Sequence, residues 1–368
     1  MLFQMSRKKP CFVVTFLSIF LSLIKIIVIM LNNLLKTKLF LVIVSLTIFI
    51  TLLNFSIFYI FVPGNLTQNK TIIIEPKLSV NQIVTKLYSN EVIKYPRIFK
   101  VIAKIYSIKR PLKSGEYVFT RNISPLQTLR MLASGKSIIH KIIVPEGTVV
   151  SEVIKKINEE SRLLGEIKGI IPEGFLMPST YFFSYGDQKE QIIDNMRNLM
   201  SANLDKVMQN LAPDSPLKTR LEVLTLASII EKEAGSNAEK PIIAAVFINR
   251  LKKNMKLQAD STTIYALTEG KFKLARALTK KDLLQELPYN TYYMKGLPPG
   301  PISCPSLKSL EAVVKSAKTD ALFFVIDGKG GHNFSNNLND HNRFVETYRK
   351  SLIKVPEPAI DPEKPSTR

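Results

Sequence analysis

An α+β fold behind one membrane-spanning helix is the architecture this sequence predicts, and three observations predict it. An uncharged apolar run occupies residues 39–62. Short β-rich runs, each followed by a polar turn and a capped amphipathic helix, recur between residues 71 and 160. Longer helical patterns follow, and then a stretch dense in Asn, Asp, Gly, Pro and His with one strand–turn–strand pattern. Once the apolar N-terminus is set aside, the remainder of the 368 residues is long enough for two folded domains.

The formal net charge of +21, from 51 Lys and Arg against 30 Asp and Glu, suits an anionic lipid surface, an acidic polymer or nucleic acid. Nucleic acid is disfavoured: there is no zinc-ligand spacing, no aromatic RNA-binding signature and no long basic run. The two cysteines, Cys11 and Cys304, supply no disulfide framework, so stability rests on packing.

In chain order, residues 39–62 follow Lys36 and Lys38 and end at Pro63 and Gly64. At 1.5 Å per residue the run crosses a hydrocarbon core of about 30 Å, and no small-residue cleavage pattern follows it, so an anchor is expected. An earlier apolar segment, 11–35, is interrupted by Lys25. If both segments spanned, Lys36 and Lys38 would lie outside, against the positive-inside rule. A start at Met30 removes the clash, leaving a short basic cytoplasmic tail through residue 38, with 1–29 untranslated. Residues 63–70 read as a polar linker.

The module at 71–145 begins with the β-rich TIIIEP. Ser79 and Gln82 then form a capping-box pattern opening a helix with Val80, Ile83 and Leu87 on one face. A second helix near 96–107 carries Phe99, Ile102, Ala103 and Tyr106, and the strand LKSGEYVF follows. Ser124, Pro125 and Gln127 open another capped helix, stopped by Gly135. SIIHKIIVPEG repeats the strand–turn design before a helix through Val153, Ile154 and Ile157.

From 146 to 352 a second, larger domain is expected. PEGFLMPSTYFFSY reads as an aromatic-rich loop, and helices follow near 189–211, 216–234 and 239–252. ALFFVI, DGKGG and HNFS read as a hairpin with Gly supplying positive φ, and 353–368 as a disordered tail.

Within LASIIEKE, Glu231 shares a helix face with Leu224, Ala227 and Ser228. Glu233 lies about 200° round, so the pair cannot serve as the two carboxylates of one glycosidase site. Which of them is buried is not readable from periodicity, since both follow apolar neighbours. Asp260 is expected to cap the helix through Ile264, and Asn290 to mimic a backbone turn. His332 and His341 lack a third ligand, so no metal site and no cofactor is expected.

LASIIEKE, AAVFINRL, MKLQADSTTIYAL, YNTYYMKGLPPGPISCPS and LFFVIDGKGGHNFSNNLNDHN together resemble the YceG-like endolytic murein transglycosylases, over about residues 71–350. The resemblance implies that the module is LysM-like and that Glu231 is the catalytic acid, with its pKa raised by the apolar wall of Leu224 and Ala227. It implies cleavage of the MurNAc–GlcNAc β-1,4 bond in nascent peptidoglycan, leaving 1,6-anhydro ends. Gln258, Asp260, Asn290, His332, Asn333, His341 and Asn342 are the candidate substrate contacts. Implied partners are glycan strands, the plasma membrane crossed once with the catalytic domain outside, and peptidoglycan synthases. The competing reading is a non-catalytic, membrane-anchored wall-binding or scaffold protein. The sequence departs from the family pattern at Ser261, where Pro is usual, at Ser306, where Gly is usual, and at Ser179 within PSTY. The first two changes are expected to alter only loop stiffness.

Overall fold

The computed structural model describes residues 18–27, 30 and 38–353. Two helices lie at the N-terminus, α1 (Ser18–Ile27) and α2 (Lys38–Phe61). Within α2, Leu41–Phe61 is long and apolar enough to cross a membrane. Cys11, the tail 354–368 and most of the segment preceding Met30 lie outside the described residues.

The chain divides into two units, residues 1–113 with 117–136 and residues 114–116 with 137–368. In the first unit, α2 is followed by β1 (Lys70–Ile74), α3 (Val80–Ser89), α4 (Pro96–Lys109), β2 (Gly115–Phe119) and α5 (Pro125–Ser134). β1 and β2 form a two-stranded sheet. Both expected capping boxes are present, Ser79 with Gln82 on α3 and Ser124 with Gln127 on α5. Each satisfies two backbone N–H groups that a helix start leaves free. Gly135 closes α5 in the left-handed conformation, φ 72°. Leu87, Phe99, Tyr117, Phe119, Leu129 and Leu132 are fully buried and form the core. Gly64 ends the linker from α2 at a close approach, where a Cβ would meet the carbonyl oxygens of Ile123 and Val92 at 2.7 Å.

The second unit contains β3 (Ile139–Ile143), α6 (Val150–Glu159), β4 (Thr180–Ser184), α7 (Lys189–Met208), α8 (Arg220–Glu233) and α9 (Lys240–Lys252). It continues through α10 (Asp260–Thr268), α11 (Lys280–Leu283), α12 (Leu307–Val314), β5 (Phe323–Ile326), β6 (His332–Ser335) and α13 (Leu338–Ile353). The unit begins before residue 146 because β3 pairs antiparallel with β4, Ile139 opposite Ser184 through Ile143 opposite Thr180. That pairing turns the expected aromatic loop into a strand with Tyr181 and Phe183 buried and Phe182 exposed. The DGKGG hairpin forms as read, with Phe323 opposite Ser335 and Ile326 opposite His332.

α8 starts at Arg220, later than the pattern suggested, because Thr219 and Glu222 form a capping box there. All eight residues from Val223 to Ile230 are buried. The six apolar ones among them join Phe247 of α9 and Leu310 and Val313 of α12 in the largest core cluster. A helix apolar all round is enclosed by its neighbours, and α8 is the central rod on which the site is built.

Candidate active site

α8 delivers two glutamates at its C-terminal end, where unsatisfied carbonyls make a negative charge unfavourable. The fold treats them oppositely. Lys240, at the start of α9, donates from Nζ to both oxygens of Glu231, at 3.0 and 3.2 Å. The backbone N–H of Ser306 donates at 2.8 Å, and the hydroxyls of Ser306 and Ser309 each donate at 2.6 Å. Ser306 is the N-cap of α12, so Glu231 also faces the positive end of that helix. Burial pushes the Glu231 pKa up, but these hydroxyl, backbone and ammonium donors outweigh it and hold the group below its ordinary value. The side chains of Glu231 and Lys240 are only 6% and 4% exposed, and Lys240 also lies 3.7 Å from the exposed Glu146 at the edge of the second cleft.

Glu233 has no cation bonded to it among the described contacts. Its Oε1 accepts from the Ser261 hydroxyl at 2.6 Å and from the Ser261 N–H at 3.3 Å. Burial dominates and raises its pKa; the Ser261 donors oppose this, nearby Asp260 adds to it, and His332 pulls the other way. The two carboxyl groups are thus shifted in opposite directions from the same ordinary value.

Glu233 lines a cleft of about 600 Å³ together with Arg250, Gln258, Asp260, Tyr292 and His332. Phe323, Phe324 and His341 complete its wall. A second cleft of about 430 Å³ lies on the other side of Lys232 and Ser261, bounded by Glu146, Glu152, Tyr265 and Phe272. Lys232 lines both clefts, and the Glu233–Ser261 contact joins a residue of the first to a residue of the second. Clefts of this size and polarity accept saccharide-sized ligands.

Of the residues singled out in the sequence, Gln258, Asp260, His332 and His341 are brought together in the first cleft. Gln258 takes positive φ, 49°, and accepts from Arg250 at 3.3 Å. Asp260 is not the cap of α10: Ala259 holds that position, and Asp260 instead accepts from the Tyr292 hydroxyl at 2.6 Å. His332 is held by Glu239, through its N–H at 2.8 Å and Nδ1 at 3.1 Å. His341 lies against Phe323, ring centroids 5.2 Å apart, and its buried Nδ1 has no hydrogen-bond partner.

Three candidates fall outside the cleft. Asn290 is fully buried; its amide donates to the carbonyls of Leu283 and Gln285, and its oxygen accepts from Thr263 and from the Tyr292 N–H. It pins the loop rather than facing a ligand. Asn333 and Asn342 line neither cleft, and Asn342 is exposed on α13. The raised pKa expected for Glu231 is also corrected, because Leu224 and Ala227 are internal core while the carboxylate turns towards Lys240. Among the described residues no group of His, Cys, Asp and Glu could hold a metal ion.

A family model described as the YceG-like family matches residues 72–347. The chain belongs to the YceG-like family. It is 30% identical over 305 residues to the endolytic murein transglycosylase of Bacillus subtilis (strain 168), covering 74% of this chain and 83% of that protein. It is 28% identical over 338 residues to the endolytic murein transglycosylase of Streptococcus pneumoniae serotype 2 (strain D39 / NCTC 7466), covering 79% of this chain but 60% of that longer protein. A 2.6 Å crystal structure of a YceG-like protein from Listeria monocytogenes aligns with 31% identity and a TM-score of 0.47, covering 75% of this chain and 99% of that one. Ser261 and Ser306, the two positions expected to alter only loop stiffness, each donate two hydrogen bonds to one of the two glutamates, one from the hydroxyl and one from the backbone N–H.

Sequence reasoning weighed Glu233 only as a partner for Glu231, and did not single out Arg250, Tyr292 or Lys240. The signal available for Lys240 was a lone Lys at the head of an apolar helix, nine residues after Glu231. Arg250 is more deeply fixed than its charge suggests, donating to the carbonyls of Leu322 and Leu257 and stacking 5.2 Å from the Phe323 ring.

Proposed function

We propose that this YceG-like chain is an endolytic murein transglycosylase in which Glu233 is the general acid and then the general base. The observation that carries the reading is the contrast between the two glutamates: Glu233 is buried with a raised pKa at the groove, whereas Glu231 is consumed by an internal ion pair. Glu233 gives its proton to the glycosidic oxygen as the C1–O4 bond breaks. Its carboxylate then takes the proton of the sugar's own 6-hydroxyl as O6 bonds to C1. No water is consumed, and one carboxyl group serves both steps. Placing the acid at C1 puts the flanking sugars along the two clefts either side of Lys232.

We read α2 as a single membrane anchor with the folded units on the outer face. Leu41–Phe61 spans about 30 Å at 1.5 Å per residue, and its side chains are exposed and apolar in the isolated chain. The first unit, with α3 and α4 between the two strands of one sheet, is read as the LysM-like wall-binding module.

The test is chemical. The full chain in detergent is incubated with intact sacculi and the released ends are examined by mass spectrometry. The reading requires 1,6-anhydro ends, lighter by one water than the reducing ends that a hydrolase leaves; reducing ends would reject it.

A further inference from the structure

We infer that α4 is a membrane-surface helix that lays its outer face on anionic lipid beside the anchor. Its inner face carries Phe99 and Ala103, both fully buried in the core of the first unit. On the opposite side Val101, Ile105 and Ile108, at i, i+4 and i+7, are 58%, 65% and 81% exposed. Three adjacent β-branched apolar side chains in water are an expensive surface, and no described element of the unit covers them.

Charge specifies the occupant. Arg97, Lys100 and Lys104 border the stripe on one side and Lys109 on the other; α4 carries no acidic residue. Apolar side chains between two basic rims are the pattern of a helix lying in a lipid headgroup layer. Each basic side chain held near an anionic surface adds about five-fold to partitioning.

Continuity with the anchor places the helix correctly for this. Tyr59, in the last turn of α2, is only 5% exposed because it packs edge-on against Tyr95, ring centroids 5.3 Å apart. Its hydroxyl also accepts from the Tyr95 N–H at 3.3 Å. Tyr95 is the N-cap of α4, and Lys94 lies over the Tyr95 ring at 5.5 Å. The first residue of α4 is therefore tied to the end of the apolar span by an aromatic and basic cluster typical of a membrane–water boundary. The inference rests on α2 being the anchor.

The test uses the full chain with Cys11→Ser, carrying an environment-sensitive fluorophore at Ile105→Cys or, separately, Phe49→Cys in α2. Each is reconstituted in vesicles of phosphatidylcholine with phosphatidylglycerol and spin-labelled lipid. Quenching at both positions, reduced at Ile105 when phosphatidylglycerol is replaced by phosphatidylcholine, is the expected result. Quenching at Phe49 with a water-like Ile105 overturns the docking and leaves the anchor standing. No quenching at either overturns the anchor and the docking with it. An Ile105 probe shielded from water but not quenched means that protein covers the face, and equal quenching in both lipids means that charge plays no part; either overturns the assignment to anionic lipid.

Discussion

Glu231 and Glu233 leave the same helix two residues apart, yet Glu231 is ion-paired with Lys240 at 3.0 Å while Glu233 accepts from the Ser261 hydroxyl, at 2.6 Å, and the Ser261 N–H, at 3.3 Å, and lines the first cleft. Rotation of about 200° between the two positions is what gives the two carboxylates these different surroundings.

Glu233→Gln should lower strand cutting by a factor of about 10² or more, the usual loss when a general acid is removed. Its melting temperature should stay near that of the parent, since the amide retains the shape. Glu231→Gln should show the reverse signature, a clear loss of stability with activity surviving in the folded fraction. Anhydro-end counting beside thermal melts separates the two, and normal cutting by Glu233→Gln would return the acid role to Glu231.

The alkaline limb of the pH–rate profile should follow Glu233. Its pKa is raised above the ordinary 4.5, so the proton needed for the first step persists above that pH and is lost as pH climbs through the folded value. Both Ser261 donors favour the carboxylate. Ser261→Ala removes one and Ser261→Pro removes both; Pro is tolerated in the first turn of α10. The limb should therefore move to higher pH in the order Ser, Ala, Pro. A profile that does not respond would separate Ser261 from the acid.

Lys240→Met should destabilise the second unit by about 3–5 kcal/mol, because it strands Glu231 in a closed interior. The sign with pH is fixed by the depressed Glu231 pKa. Its stabilisation is present above 4.5 and disappears as pH falls through the folded value, so Lys240→Met and the parent should converge in acid. Urea titrations at neutral and acidic pH measure this directly.

Asn290→Ala should cost about 3 kcal/mol by leaving the carbonyls of Leu283 and Gln285 and the Thr263 hydroxyl without partners. KM for soluble glycan should stay unchanged in the protein that remains folded. A raised KM with normal stability would reinstate Asn290 as a ligand contact.

Features held within a few residues were readable from the sequence. The Ser79–Gln82 and Ser124–Gln127 boxes, the Gly135 stop and the DGKGG turn each depend on neighbours one to five positions away. β4 was hidden because TYFFS becomes a strand only by pairing with residues about forty positions earlier. The choice between the glutamates was hidden for a sharper reason. α8 is apolar on every side through Ile230, so periodicity carries no directional information, and the residues that sort the two carboxylates come from α9, α10 and the cap of α12. The motif narrowed the candidates to two carboxylates within one helical turn, and the contacts that distinguish them are tertiary.

On the proposed reading, in which one strand lies across the two clefts that share Lys232, the arrangement bears on the statistics of cutting. A groove closed at one end counts chain termini; one open at both ends counts linkages. Each strand then presents as many targets as it has internal bonds, and its chance of being cut grows with its length. The population should narrow by losing its longest members first, with median length falling early while monomeric disaccharide accumulates late. A polymer treated this way acquires an upper limit on length without any device that measures it.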